Sequence, residues 1–268
     1  MKSQYFKLFA FVALLLVVGL ACSFLTGPNA NEVPANQEPP ATEAPATEAP
    51  VQQQDQPTEA PVATEAPVEQ PSSSAEQYFT EEFDGGIENW SRLDVTGAKE
   101  SNPDGLKIEV EDSRLSFDFS TKQLYTYLFY DPFEYEDVTV EALAENRGMN
   151  DNNISLICRY SDEGWYEFNV FNSGLYNILY GFYKPDGSIN YARIADGGST
   201  KIKAGKEVNN YKITCSQRKL SLYINGTETR VVEDNQYVLR KGKIGVGVSS
   251  FDQLPIKVDF DWVKISEP

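Results

Sequence analysis

From Leu106 to Ile265 the chain is a succession of short strand-like runs. They are LKIEV (106–110), RLSFDF (114–119), LYTYLFY (124–130), DVTVEALA (137–144), ISLICRY (154–160) and WYEFNVF (165–171). LYNILYGFYK (175–184), INYARIA (189–195), YKITC (211–215), LSLYI (220–224), KIGVGV (243–248) and IKVDFDWVKI (256–265) follow. Period two is the repeat of a strand, not of a helix. No stretch of ten residues carries a convincing helical stripe. Turn signals separate the runs: Pro103-Asp104-Gly105, Asp186-Gly187, Gly197-Gly198 and Asn225-Gly226. About a dozen short strands at this spacing predict an all-β fold, a two-sheet antiparallel jelly-roll sandwich.

This pattern begins only after a long preamble. Lys2 and Lys7 precede the apolar run LFAFVALLLVVGLA (8–21), which is short for a bilayer span and suited to an export signal. The run ends in GLACS, which resembles a bacterial lipobox. Gly19 stands where an aliphatic residue is usual, and a plain secretory signal is the other reading. The expectation is a signal peptide over 1–21 and lipidation of Cys22. The protein would then work outside the cytoplasm, anchored to a bacterial membrane by that lipid.

Residues 22–75 hold most of the chain's 15 prolines, eight acids and no Lys or Arg, and TEAP recurs at Thr42, Thr47, Thr58 and Thr64. Such a composition cannot bury enough apolar surface to offset its ordering entropy, so a disordered tether is expected. In an extended polyproline state it would reach on the order of 150 Å. Residues 76–268 form the expected globular domain, large enough for one substantial core.

Composition removes several chemistries. With no histidine, the chain can build no Ser-His-Asp triad, Cys-His dyad or His-ligated metal site. A formal net charge of −17 disfavours nucleic acid as a partner. Of the three cysteines, Cys158 and Cys215 both point to the apolar side of their strands. In an exported chain they are expected to be bridged, with two unbridged core cysteines as the alternative. Asn225-Gly226 reads as the turn of a hairpin, since both positions tolerate positive φ. The glycosylation-type matches at Asn89, Asn153 and Asn225 read as chance, and RKGK (240–243) as a solvated loop.

The motif order is YFTEEFDGGIENW, DVTVEA, SLICRYSDEGWYEFNVFNSGLYNILY, NNYKITCSQRKLSLYINGTE, KGKIGVGVSS and VDFDWVKI. It resembles the concanavalin A-like lectin/glucanase superfamily over about residues 78–266. In particular it is similar to laminin-G-like and 3-keto-disaccharide-hydrolase-type domains. The resemblance implies a curved sandwich whose concave face often binds sugars. It brings no active site with it. The glucanase branch carries an E-x-D-x-x-E run, whereas YEDVTVEALAE places Glu136, Asp137, Glu141 and Glu145 at other spacings.

The aromatic strands carry the candidate ligand site. Alternation puts Trp165, Glu167 and Asn169 on one face and Tyr166, Phe168 and Val170 on the other, the core face. Arg159 on the neighbouring run, with Tyr176 and Tyr180 further on, completes the candidate set. Flat rings cover the CH faces of sugars while polar groups match hydroxyls. Ordinary strand aromatics are the plain alternative. The resemblance also implies a structural Ca²⁺ candidate where first and last strands meet, at Asp84, Asp259 and Asp261; the alternative makes Asp259 and Asp261 surface acids. No other cofactor is required. The leading expectation is a non-catalytic carbohydrate-binding module on a lipidated stalk, with a polysaccharide or cell-surface glycan as partner. The alternatives are a glycoside-cleaving enzyme using Glu141 or Glu167 and an adhesive surface protein with a protein partner.

Overall fold

The structure is a computed structural model that describes residues 76–268. The expected signal peptide, the lipidation at Cys22 and the tether over 22–75 lie outside the described residues. In chain order the strands are β1 (Phe79–Glu81), β2 (Trp90–Thr96), β3 (Leu106–Glu111), β4 (Arg114–Phe119) and β5 (Leu124–Tyr130). Next come β6 (Val138–Asn146), β7 (Asn152–Ser161), β8 (Gly164–Phe171), β9 (Leu175–Tyr183) and β10 (Ile189–Gly198). The last are β11 (Val208–Ser216), β12 (Lys219–Ile224), β13 (Thr227–Glu233), β14 (Lys243–Ser250) and β15 (Ile256–Ser266).

They form two antiparallel sheets, as expected from the alternation. One runs β13-β12-β11-β6-β15-β4-β3, with β1 pairing β15 as its eighth strand. The other runs β10-β9-β8-β7-β14-β5-β2. The core lies between the two sheets. Leu115, Phe117 and Phe119 of β4, Val140 of β6, Ile213 of β11 and Phe260 of β15 come from the first. Ile154 and Leu156 of β7, Phe168 of β8 and Ile244, Val246 and Val248 of β14 come from the second. Each such side chain contributes about 1.5–3 kcal/mol by leaving water.

Cys158 and Cys215 are bridged, with their Cα atoms 6.6 Å apart, so the disulfide joins β7 of one sheet to β11 of the other. The Asn225-Gly226 turn also forms as read. It links β12 to β13 with φ of 49° and 75°, and the Asn225 side chain donates to Lys201 O (2.7 Å) and Asn209 Oδ1 (2.8 Å). Three strands escape the alternation. β1 has only three residues, β2 is an edge strand whose Arg92 is exposed, and β13 is an edge strand that is mostly exposed.

One irregularity matters for function. In β7 the register shifts between Cys158 and Ser161, and Arg159 takes a φ of +58°. This β-bulge turns the strand over by one residue. Ile154, Leu156 and Cys158 face the core, but Tyr160, which would join them by strict alternation, packs instead on Phe129 and Trp165 of the opposite face.

Candidate functional site

The outer face of the seven-stranded sheet is built from cross-strand rows. Residues directly opposed on adjacent strands share a face. One row reads Tyr125, Ser249, Asn153, Phe171 across β5, β14, β7 and β8. The next reads Tyr127, Gly247, Ser155, Asn169, Asn177, continuing onto β9. The third reads Phe129, Gly245, Ile157, Glu167, Leu179. The alternation of KIGVGV therefore has two faces with two jobs: Ile244, Val246 and Val248 fill the core, while Gly245 and Gly247 leave a floor without side chains. A Cβ at Gly247 would lie 2.8 Å from the Tyr127 ring, and one at Gly181 2.3 Å from Trp165. Glycine lets both rings lie flat on the sheet.

At one end this face is closed. Phe129 stacks on Tyr160 with centroids 3.7 Å apart, and Trp165 packs edge-on against Tyr127, Tyr183 and Tyr191. At the other end it opens into a depression of about 410 Å³. Asn153, Asn169, Asn177 and Ser249 line it, with rings of Tyr125, Tyr127, Tyr191, Phe171 and Phe251 around them. Phe171 and Phe251 stack at 5.8 Å, and Tyr125 meets Phe251 edge-on.

Glu167 sits beneath this depression, 1% exposed. Its Oε1 accepts from Tyr127 Oη at 3.1 Å and Ser155 Oγ at 3.0 Å, and its Oε2 accepts from Trp165 Nε1 at 3.1 Å. Burial pushes its carboxyl above the ordinary value, and the donated hydrogen bonds pull part of that shift back. The Tyr127 hydroxyl lies 2.8 Å from that of Tyr191. Desolvation, and after it the nearby Glu167 charge, raise both phenols. Ser155 Oγ also contacts Asn169 Oδ1 at 2.5 Å. A hydroxyl has one proton to donate, so when it serves Glu167 the Asn169 amide must turn its NH₂ toward the serine.

Two buried polar atoms on residues that line the depression have no partner: Asn153 Oδ1 and Ser249 Oγ, on residues 3% and 1% exposed. They stand opposite one another on β7 and β14. Buried polar groups in folded proteins are nearly always satisfied, and an orphan costs about 1–3 kcal/mol.

The sequence-based candidates divide. Trp165, Glu167 and Asn169 do share the outer face. Trp165 is 0% exposed, however, so it is no open platform; its indole N–H anchors Glu167. Arg159 does not join them. The bulge carries it inward, where it donates to the carbonyls of Glu136, Gln217 and Leu239 at 2.7–2.9 Å and to Asp137 at 3.3 Å. Tyr176 and Tyr180 lie on the other side of β9, opposite Val170 and Tyr166. Tyr176 is core, and Tyr180 stacks on Tyr237 at 4.0 Å.

Glu141 lies on the other sheet, on β6, where Lys212 and Lys264 oppose it and Asn210 donates to it. The calcium candidates are also spent otherwise. Asp259 pairs with Arg147 at 2.7 Å, Asp261 with Arg114 at 3.2 Å, and Asp84 accepts from Ser113. Among the described residues no three acidic or cysteine side chains gather to hold a metal ion.

Sequence reasoning missed Tyr125, Tyr127, Asn153, Asn177, Tyr191, Ser249 and Phe251. LYTYLFY is apolar on both faces, so alternation alone could not separate site from core. The glycines of KIGVGVSS, paired with the apolar positions between them, were the available signal.

No family model matches the chain, and no curated protein matches it in sequence. Solved structures do resemble it. A Bacillus subtilis protein of unknown function with a galectin-like fold aligns with a TM-score of 0.53 at 12% identity, covering 70% of this chain and 94% of that one. A Bacillus licheniformis beta-glucanase aligns at 0.51 and 12%, covering 71% and 98%. A Bacteroides ovatus glycoside hydrolase family 16 protein, in complex with its product, aligns at 0.51 and 10%, covering 70% and 99%. The fold is that of the concanavalin A-like jelly rolls, as the motif order implied.

Proposed function

We propose that residues 76–268 form a carbohydrate-binding module that holds a glycan without cleaving it. The observation that carries this reading is the pair of unpartnered buried polar atoms, Asn153 Oδ1 and Ser249 Oγ, in an open depression rimmed by aromatic rings. Once the Asn153 amide and the Ser249 hydroxyl turn toward the opening, sugar hydroxyls supply the missing hydrogen bonds, and the rings cover the CH faces. Glycoside cleavage commonly uses two carboxyl groups about 5–5.5 or 6.5–9.5 Å apart. Among the described residues Glu167 is the one carboxylate lining this depression, and three donors already occupy it. Immobilised polysaccharides should retain the purified protein, and Asn153→Ala should abolish retention. Failure to bind any glycan overturns the reading.

A second reading keeps one supporting observation. A buried carboxyl with a raised pKa at a ligand site suits a general acid, and a protein described as a beta-glucanase shares this fold. Release of reducing sugar that disappears in Glu167→Gln would favour it over the first.

We propose further that Cys22 carries a lipid and that residues 22–75 space the domain from a bacterial membrane. The support is the lipobox-like GLACS and the proline-rich, acidic composition that follows. Cys22→Ser should move the protein from the detergent phase to the aqueous phase of a Triton X-114 partition. An unchanged partition rejects the anchor.

A further inference from the structure

We propose that the ligand of this depression is an uncharged glycan, and that the face discriminates against uronate, sulfated and phosphorylated sugars. The inference rests on the carbohydrate reading above and concerns the chemical class of ligand within it.

Three observations carry it. Among the described residues, no Lys or Arg lines the depression, and its one carboxylate is Glu167. Nearby cations are engaged elsewhere. Arg159, which strict alternation would bring to this face, is turned inward by the bulge and spent on three carbonyls and Asp137. Arg193 of β10, opposite Leu179, is absent from the lining and stands exposed on the edge strand, 3.4 Å from Asp196. An anionic group entering here would shed water, find no cation, and meet the negative end of Glu167.

The second observation concerns hydrogen-bond sense. Asn153 Oδ1 is an acceptor without a donor. A hydroxyl can supply a proton to it, whereas an ionised carboxylate or sulfate leaves it unpaired and bonds only to donors such as the Ser249 hydroxyl and the Asn153 NH₂. The third is the wider field. The chain carries a formal net charge of −17, which repels polyanions before contact.

The test uses the full chain purified in detergent. It is applied to an array of neutral glucans, xylans, mannans, galactans and fructans printed beside polygalacturonate, alginate and sulfated galactans. The expected result is binding to at least one neutral polymer, lost in Asn153→Ala, with every acidic polymer at least about tenfold weaker at 0.15 M salt. Leu179→Lys, which places a cation on the lining, should bring polygalacturonate binding up by about tenfold. An acidic polymer bound as tightly as the best neutral one, and lost in Asn153→Ala, overturns the charge selectivity while leaving the carbohydrate reading intact. Binding to no polymer, or binding that survives Asn153→Ala, overturns the carbohydrate reading at this site and the inference with it.

Discussion

Asn153 and Ser249 oppose each other across β7 and β14, and neither Asn153 Oδ1 nor Ser249 Oγ has a hydrogen-bond partner. Function and stability therefore pull in opposite directions here. Ser249→Ala removes an unpaired buried hydroxyl and should raise stability by up to about 1 kcal/mol. The same change should weaken glycan binding by about tenfold. Chemical denaturation and affinity electrophoresis on one preparation check both signs. A fall in stability with unchanged binding would make the hydroxyl structural.

Glu167 gathers the hydroxyls of Tyr127 and Ser155 and the indole N–H of Trp165. In Glu167→Gln an amide N–H faces one of these donors whichever way the amide turns. The expected loss is about 1–3 kcal/mol. Because burial raises the Glu167 pKa, the folded state holds this proton more tightly than the unfolded chain. Its stabilisation is complete below the unfolded value, near 4.5, and is lost as pH rises through the higher folded value. The stability gap between wild type and variant should be widest near pH 4 and narrow toward neutrality. Thermal melts across pH 4–8 read it, and a gap that widens with pH contradicts the buried-carboxyl account.

Gly247 lies in the floor of the face, under Tyr127. A Cβ there would stand 2.7 Å from Thr126 O and 2.8 Å from the Tyr127 ring. Gly247→Val should displace Tyr127, break its hydrogen bond to Glu167 and cost about 1–3 kcal/mol. Glycan affinity should fall with it. The near-ultraviolet circular dichroism of the aromatic cluster reports the displacement, and an unchanged spectrum argues against it.

The Cys158–Cys215 bridge spans 57 residues of sequence and joins the two sheets. Replacing both cysteines by serine should cost roughly 4 kcal/mol in the chain-entropy account. Urea midpoints of the wild type and of the double variant measure it. Equal midpoints would show that the unfolded chain is not restrained by the bridge.

The sandwich was legible because strands with one buried face alternate in sequence. LSLYI and KIGVGV, with the Asn-Gly turn between β12 and β13, are direct records of the backbone. The inward-facing cysteines were legible for the same reason. The site was legible only in part. Trp165, Glu167 and Asn169 were placed on one face because β8 is regular. Arg159 was misplaced because one residue of β7 departs from alternation, and positive φ leaves no signature at an arginine. Tyr125 and Tyr127 were missed because β5 is buried on both faces, by the core on one and by the aromatic cluster on the other.

The bulge at Arg159 also has an evolutionary reading. Substitution is the usual route by which a binding face changes its chemistry, but here chain length offers another. Deleting Tyr160, one of the two residues between Cys158 and Ser161, would restore strict alternation and bring the Arg159 guanidinium out opposite Trp165. Homologues differing by a single-codon indel at this position would then part company in the charge of the sugars they accept, with every lining residue unchanged.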